Sequence, residues 1–416
     1  MPKGPFHGLR STAHRPRSTP FVGCFLRRNR EAARWSNGAV RLTAVKVAVV
    51  TESFLPRVNG VTNSVCRVVE HLAGRGHEVL VVAPGPGPDG HAGQPVRLTR
   101  GVALPFYRSF VVGIPTRQVT GALNEFGPDV IHLAAPLALG ASGVAAARRL
   151  DVPTVAVFQT DVVGFARRYG LRGADHLVWA WLRHIHEQAD RTLAPSRPTL
   201  DELHRRGVPR LALWARGVDD ERFHPRHRSA ELRAELAPNG EVLVGYVGRL
   251  AVEKRPSLLR HLADMPGVRL VVVGDGPAGR RLRRMLPDAV FTGFQTGREL
   301  SELVASLDVF VHTGADETFC QAVQEGLSAG VPVVAPAAGG PLDLVRPGHN
   351  GLLYPPDDPA MLRAAVATLV GDPALRRRMA TQARLSVRGR DWTSVCDELV
   401  DHYEAVRYGR SARQAA

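Results

Sequence analysis

The stretch "DVFVHTGADETFCQAVQEGLSAGVPVVAPA", residues 308–337, decides the fold. It opens on an apolar, β-branched run, "DVFVHTG", and closes on another, "VPVVAPA", with "FCQAVQEGLSAG" at helical periodicity between them. A strand, a helix and a second strand with no hairpin signal form a parallel crossover unit. The same alternation runs outward in both directions. Upstream lie "KVAVVTES" (46–53), "VLVVAP" (79–84), "DVIHLAA" (129–135), "PTVAVFQT" (153–160) and "RTLAPS" (191–196). Nearer the opening stretch are "VLVGYVGRL" (242–250), "LVVVGDGP" (270–277) and "AVFTG" (289–293). Continuous apolar runs separated by amphipathic segments are what parallel strands covered on both faces produce. With 416 residues, two doubly wound α/β domains are predicted, at 45–213 and 214–390. The seam falls near "WARGVDDERFHPRHRS" (214–229) and leaves a cleft. A last helical stretch, placed in 391–416, is expected to pack back toward the first domain.

The net charge of +15 comes almost wholly from arginine, since only Lys3, Lys46 and Lys254 are lysines. Part of the excess is local: the first 41 residues carry nine Lys or Arg against one acid, Glu31. Residues 1–44 therefore read as a basic, disordered extension outside the fold. Without an apolar core, that extension is no secretory signal. No run approaches the roughly 18 apolar residues needed to cross a bilayer. The four cysteines are widely spaced, with no zinc pattern, and suit a reducing cytoplasm. No nucleic-acid module accompanies the positive charge.

In open α/β sheets ligands bind beyond the carboxyl ends of strands. Glu317 follows the strand at 308–314, and Glu325 falls about two turns into the next helix. A helix amino terminus between two acids suits a diphosphate at the exposed amides, with carboxylates taking hydrogen bonds from sugar hydroxyls on either side. The spacing alone equally fits an acid favoured by the helix dipole and an exposed mid-helix glutamate. Arg249 and Lys254, in "GRLAVEK" after the first strand of the second domain, tip that balance. Two cations beside the same cleft would neutralise a departing diphosphate.

The set "GRLAVEK", "VVVGDGP", "ETFCQAVQEGLSAGVPVVAPAAGG" and "ESFLPRVNGVTNSV" resembles the retaining glycosyltransferases of family 4, which have the GT-B fold. The likeness runs from Val45 to the end. Within the family it points to actinobacterial GDP-mannose-dependent α-mannosyltransferases acting on glycolipids, through "VTESFLPRVNGVTNSV", "VAVFQTDVVGFARRYG" and "WARGVD". The resemblance implies two Rossmann-like domains facing each other across the cleft. It implies transfer of a hexose, mannose first, to a lipid such as glucuronosyl diacylglycerol or a phosphatidylinositol mannoside. It further implies that Glu317 and the backbone amides of Phe319 and Cys320 hold the donor sugar, that Glu325 binds the ribose, and that Arg249 and Lys254 bind the diphosphate. Gly60 would let backbone approach the phosphates or acceptor; Gly274 would sit in a turn at the cleft rim. Where many relatives have a histidine, this chain has Gln159, followed by Asp161. Glutamine orients by hydrogen bonding but does not titrate, so Asp161 becomes a candidate for contacting sugar or acceptor, or else a helix cap.

His132, His184 and His312 lack a partner pattern and read as structural. No metal and no cofactor is expected beyond the nucleotide-sugar itself. Two further readings are a UDP-sugar lipid transferase of sulfoquinovosyl type and a GT-B-fold sugar-nucleotide epimerase. A pyridoxal-phosphate phosphorylase would need a lysine after Lys254, and there is none. The mixed Arg and aromatic stretches "FYRSFVVGIPTR" (106–117) and "FARRYGLRGADHLVWAWLRHIH" (165–186) suit peripheral contact with an anionic membrane on its cytoplasmic face. They fit slightly better a helix that buries Trp181 in the core, with solvated arginines outside.

Overall fold

A computed structural model describes residues 44–104, 107–114, 117–160, 164 and 175–414. The basic extension up to residue 43, Asp161 and the segment "FARRYGLRGA" (165–174) lie outside the described residues.

The first domain is built on β1 (Lys46–Thr51), β2 (Glu78–Pro84), β3 (Gly90–His91), β4 (Gln94–Thr99), β5 (Gly101–Leu104), β6 (Tyr107–Gly113), β7 (Val130–Ala134), β8 (Thr154–Val157), β9 (Arg191–Ala194) and β10 (Leu211–Leu213). Eight of them form one sheet in the order β10-β9-β8-β7-β1-β2-β4-β3, and β5 and β6 form a separate hairpin. Only the β3–β4 pair in the large sheet is antiparallel. The second domain carries β11 (Val242–Val247), β12 (Val268–Val273), β13 (Val290–Gly293), β14 (Val309–Val311), β15 (Val333–Pro336) and β16 (Gly351–Tyr354). Their order is β13-β12-β11-β14-β15-β16, every pairing parallel.

Alternate residues of each strand feed different cores, which explains the continuous apolar runs. Val47 and Val49 of β1 join one buried cluster, Ala48 and Val50 the other. In the second domain Leu243 packs with Phe310 on one face, while Val244 and Tyr246 pack with Val309 and Val311 on the opposite face. Both sheets thus have helices on both sides, as the sequence predicts.

Strand order reverses at β1, which lies between β2 and β7, and again at β11, which lies between β12 and β14. Such reversals open a crevice between diverging loops at the carboxyl ends of the strands. Arg249 and Lys254 follow β11, and Glu317 follows β14, so the second reversal brings those loops side by side.

The helix Trp392–Gln414 lies against the first domain. Its Asp397 takes hydrogen bonds from His71 Nε2 and Arg75 Nη2, both at 2.9 Å, and the Tyr403 hydroxyl lies 2.6 Å from His132 Nδ1. Trp214 Nε1 donates to Val395 O at 2.8 Å. His132 is buried, and that burial pushes its pKa down to about 3, as befits a structural imidazole. The two crossings between domains run together, with Val218 N donating to Arg390 O at 2.9 Å. Among the described residues no helix is long and apolar enough to cross a membrane.

Candidate active site

The loop after β14 departs from the predicted helix. The helix spans Gln321–Ser328, so Phe319 and Cys320 precede it. Cys320 has φ of 80°, a left-handed conformation that a helix cannot contain, and Phe319 is buried with its carbonyl against Gly340. A Cβ on Gly340 would stand 1.9 Å from Phe319 O, so only glycine allows this approach. Gly340 N also donates to Glu317 O at 2.7 Å. The glycine pair ending "APAAGG" is therefore the floor beneath the Glu317 loop.

Above that floor Lys254 Nζ lies 2.5 Å from Glu317 Oε1, with side chains 31% and 13% exposed. Burial alone would raise the Glu317 carboxyl, but the Lys254 ammonium and His312 hold it down at about 2. Burial likewise opposes the Lys254 ammonium, and Glu317 more than offsets it, so its pKa rises. His312 Nε2 stands 3.2 Å from the same carboxylate oxygen. His312 is buried at 3% exposure, and this proximity to Glu317 is compatible with the structural role read from the sequence. His312, Glu317 and Cys320 offer ligand atoms within 4.8 Å of one another. The ammonium already on Glu317 and a thiol pushed far up by burial make that trio a poor cation cage.

Glu325 is partly buried and separate from this pair. Burial pushes its pKa up to about 7, with Arg222 and a hydrogen bond from Gln321 opposing. The helix start lies between Glu317 and Glu325, as the spacing predicts. Arg249 is half-buried after β11, its carbonyl accepting from Tyr246 Oη at 3.0 Å. Gly274, at φ 131°, packs against that loop: a Cβ there would meet Gly248 O at 2.0 Å. Its glycine brings the ends of β11 and β12 into contact, a more specific task than the turn expected of it.

The first domain reaches this loop through several hydrogen bonds. Thr318 Oγ1 donates to Gln159 O at 3.0 Å, and Thr318 O accepts from Ser196 Oγ at 2.7 Å and Thr199 Oγ1 at 3.0 Å. Gln159 is thereby one residue from Glu317 across the domain boundary. Gly60 opens the helix Gly60–Gly74 behind an Asn59 cap whose Oδ1 accepts from Val61 N and Thr62 N. Nothing lies within 4 Å of the position of a Cβ on Gly60, so the space above its backbone is open.

Sequence reasoning missed three polar residues that assemble these loops. Arg216, buried at 6% exposure, donates to Gly60 O at 2.7 Å and to Gln159 Oε1 at 2.5 Å. Thr318 ties Gln159 to the Glu317 loop. Glu52, just after β1, accepts from Leu139 N at 2.5 Å and Gly113 N at 3.0 Å; burial raises its pKa despite those bonds. An arginine between Ala215 and Gly217 in "WARG" and an acid directly after the apolar run "VAVVT" were the available signals.

Residues 58–222 match the sequence family Glycosyltransferase Family 4, and 228–386 match Glycosyl transferases group 1. A GDP-mannose-dependent alpha-mannosyltransferase of Mycobacterium tuberculosis is 52% identical over 90% of this chain and 100% of its own length. One of the same description from Mycolicibacterium smegmatis is 50% identical over 89% and 100%. Among solved structures, HepE of Anabaena in complex with UDP superposes with a TM-score of 0.72 at 19% identity, covering 86% of this chain and 100% of that one. That likeness fixes the architecture, two Rossmann-like domains of the GT-B fold.

Proposed function

The chain belongs to the family-4 glycosyltransferases, and from that premise we propose that it transfers mannose from GDP-mannose to a glycolipid with retention of the α configuration. The observation that carries this reading is the Lys254–Glu317 pair at the reversal of strand order, beside a helix start and next to Thr318, which bonds Gln159 of the other domain. Roughly half identity over nearly the whole chain to GDP-mannose-dependent relatives supports guanosine over uridine as the donor nucleoside.

In this reading the diphosphate lies at the start of the helix, with Arg249 and Lys254 beside it, and the amides of Phe319 and Cys320 help hold the donor sugar. Glu317 accepts hydrogen bonds from mannose hydroxyls, Glu325 from the ribose. Asp161 is a further candidate for the acceptor side. As the bond from anomeric carbon to phosphate oxygen breaks, its electron pair moves onto the phosphate. The acceptor hydroxyl attacks from the same face, and its proton passes to the departing phosphate oxygen. Positive charge already in place, with little reorganisation needed, stabilises the developing anion. A single cation of this kind contributes on the order of 10²–10³ in rate. Arginine, lysine and helix amides supply the charge that a metal supplies elsewhere, so activity is expected to persist in EDTA.

A lipid acceptor is supported by the helix Asp175–Gln188. Leu177 is 74% and Trp181 45% exposed, so Trp181 is not the core residue that one reading of the sequence allowed; Trp179 and Leu182 fill that place. An exposed Trp and Leu beside arginine fit the interface of a membrane, reached from the cytoplasmic side. The test is transfer of radiolabelled mannose from GDP-mannose to detergent-dispersed glucuronosyl diacylglycerol. A labelled lipid of α configuration is expected; labelling from UDP-sugars alone would overturn the donor assignment.

A further inference from the structure

Arg216 is a buried charge that forms no ion pair with an acid among the described residues. Its guanidinium is spent on two oxygens: Nη1 on Gly60 O at 2.7 Å and Nη2 on Gln159 Oε1 at 2.5 Å. Its own carbonyl accepts from Gln324 Nε2 of the second domain at 2.9 Å. Burial pushes its pKa down to about 10, which still leaves it protonated at neutral pH. A buried cation held by neutral oxygens alone is costly, and such an arrangement persists where the cation has work to do.

The work is legible at Gln159. An amide can present either oxygen or NH₂ in a given direction, and a guanidinium only donates. Arg216 therefore selects the oxygen and turns the NH₂ away. Thr318 Oγ1 holds the backbone carbonyl of the same residue at 3.0 Å, so both oxygens of Gln159 are occupied. What remains is Nε2, buried in a side chain 6% exposed and without a hydrogen-bond partner among the described residues. A buried, unpaired amide NH₂ costs about 1–3 kcal/mol unless something accepts from it. Thr318, the residue holding Gln159, is adjacent to Glu317.

We propose that Arg216 is a positioning residue: it fixes the amide of Gln159 so that its NH₂ donates to a hydroxyl oxygen of the transferred hexose. The inference rests on the nucleotide-sugar reading above and adds to it the division of labour at the sugar. Glu317 then accepts from hydroxyls, while Gln159 donates to one, and a sugar placed between an acceptor and a fixed donor is held in one orientation.

The test is a double-mutant cycle read by GDP release from GDP-mannose, with water alone and with detergent-dispersed glucuronosyl diacylglycerol. Gln159→Glu keeps the oxygen that faces Arg216 and turns the donor into an acceptor. It is expected to lower kcat/KM about 10-fold in both assays without lowering Tm. Arg216→Lys is expected to lower kcat/KM similarly in the wild-type background and to have little further effect on Gln159→Ala, because Arg216 acts through Gln159. Arg216→Gln serves in the same cycle should the lysine variant fail to fold. A full Arg216 effect on Gln159→Ala would overturn the proposal, showing a role through Gly60 or stability instead. Loss of lipid transfer with water hydrolysis unchanged would overturn it too, placing Gln159 on the acceptor. If the wild-type protein releases no GDP from GDP-mannose, the nucleotide-sugar reading fails, and this inference with it.

Discussion

Replacing Lys254 by methionine separates the electrostatics of the site from its packing. Lys254 Nζ is 2.5 Å from a carboxylate that is 13% exposed. The Glu317 carboxyl, held at about 2 against its ordinary 4.5, is about 2.5 pH units more acidic than in the unfolded chain. At ~1.36 kcal/mol per unit this is about 3 kcal/mol favouring the ionised, folded form. A depressed carboxylate pKa gives stability that is present above about 4.5 and lost as pH falls toward 2. Without the ammonium, burial acts on Glu317 with only His312 opposing, and its pKa rises above 4.5. Stability of Lys254→Met must then fall as pH increases from 5 to 8, whereas the wild-type contribution from this group stays level. Guanidinium unfolding followed by far-UV circular dichroism should show a deficit of about 3 kcal/mol at pH 5 that widens by pH 8. Lys254→Met/Glu317→Gln removes the buried charge altogether and should recover most of the stability while remaining inactive. A deficit independent of pH, or a double variant as unstable as the single one, would refute the reasoning.

Burial brings Glu325 to a pKa of about 7, and in the proposed site only its ionised form would accept from both ribose hydroxyls. The KM for GDP-mannose should therefore rise as pH falls below 7, and Glu325→Gln should show a high KM with no such pH dependence. Gly340→Ala places a methyl 1.9 Å from Phe319 O and must displace the Glu317 loop. A loss of at least about 2 kcal/mol in denaturant unfolding, with turnover reduced beyond detection, is expected. Leu177→Ser and Trp181→Ser change two exposed side chains. They should leave Tm within a degree or so yet weaken sedimentation with anionic vesicles, which unchanged binding would contradict.

The strands buried on both faces were legible in the sequence because their apolar runs have no competing interpretation at that length. The short β3 and the β5–β6 hairpin lack such runs, and β16, "GLLY", is too brief to stand apart from its loop. At the site, Lys254 and Glu317 could each be singled out as charges just past a strand. Their pairing follows from β11 lying beside β14, a fact of strand order that periodicity does not carry. The predicted helix starts too early because Phe319 and Cys320 continue its apolar periodicity; the close approach of Gly340 overrides that pattern. Arg216 and Thr318 carried little signal as site residues since each hydrogen-bonds a partner far away in the chain. The proximity of His312 to Glu317, five residues on, depends on the path of the loop after β14, which residue spacing does not reveal.

The most direct measurement is the anomeric configuration, by NMR, of the mannosyl lipid formed from GDP-mannose by the wild-type protein and by Lys254→Met. The account predicts a single α-mannosyl product from the wild type and, at equal folded protein, a rate lower by on the order of 10²–10³ from the variant. A β-mannosyl product, or undiminished transfer without Lys254, would contradict it.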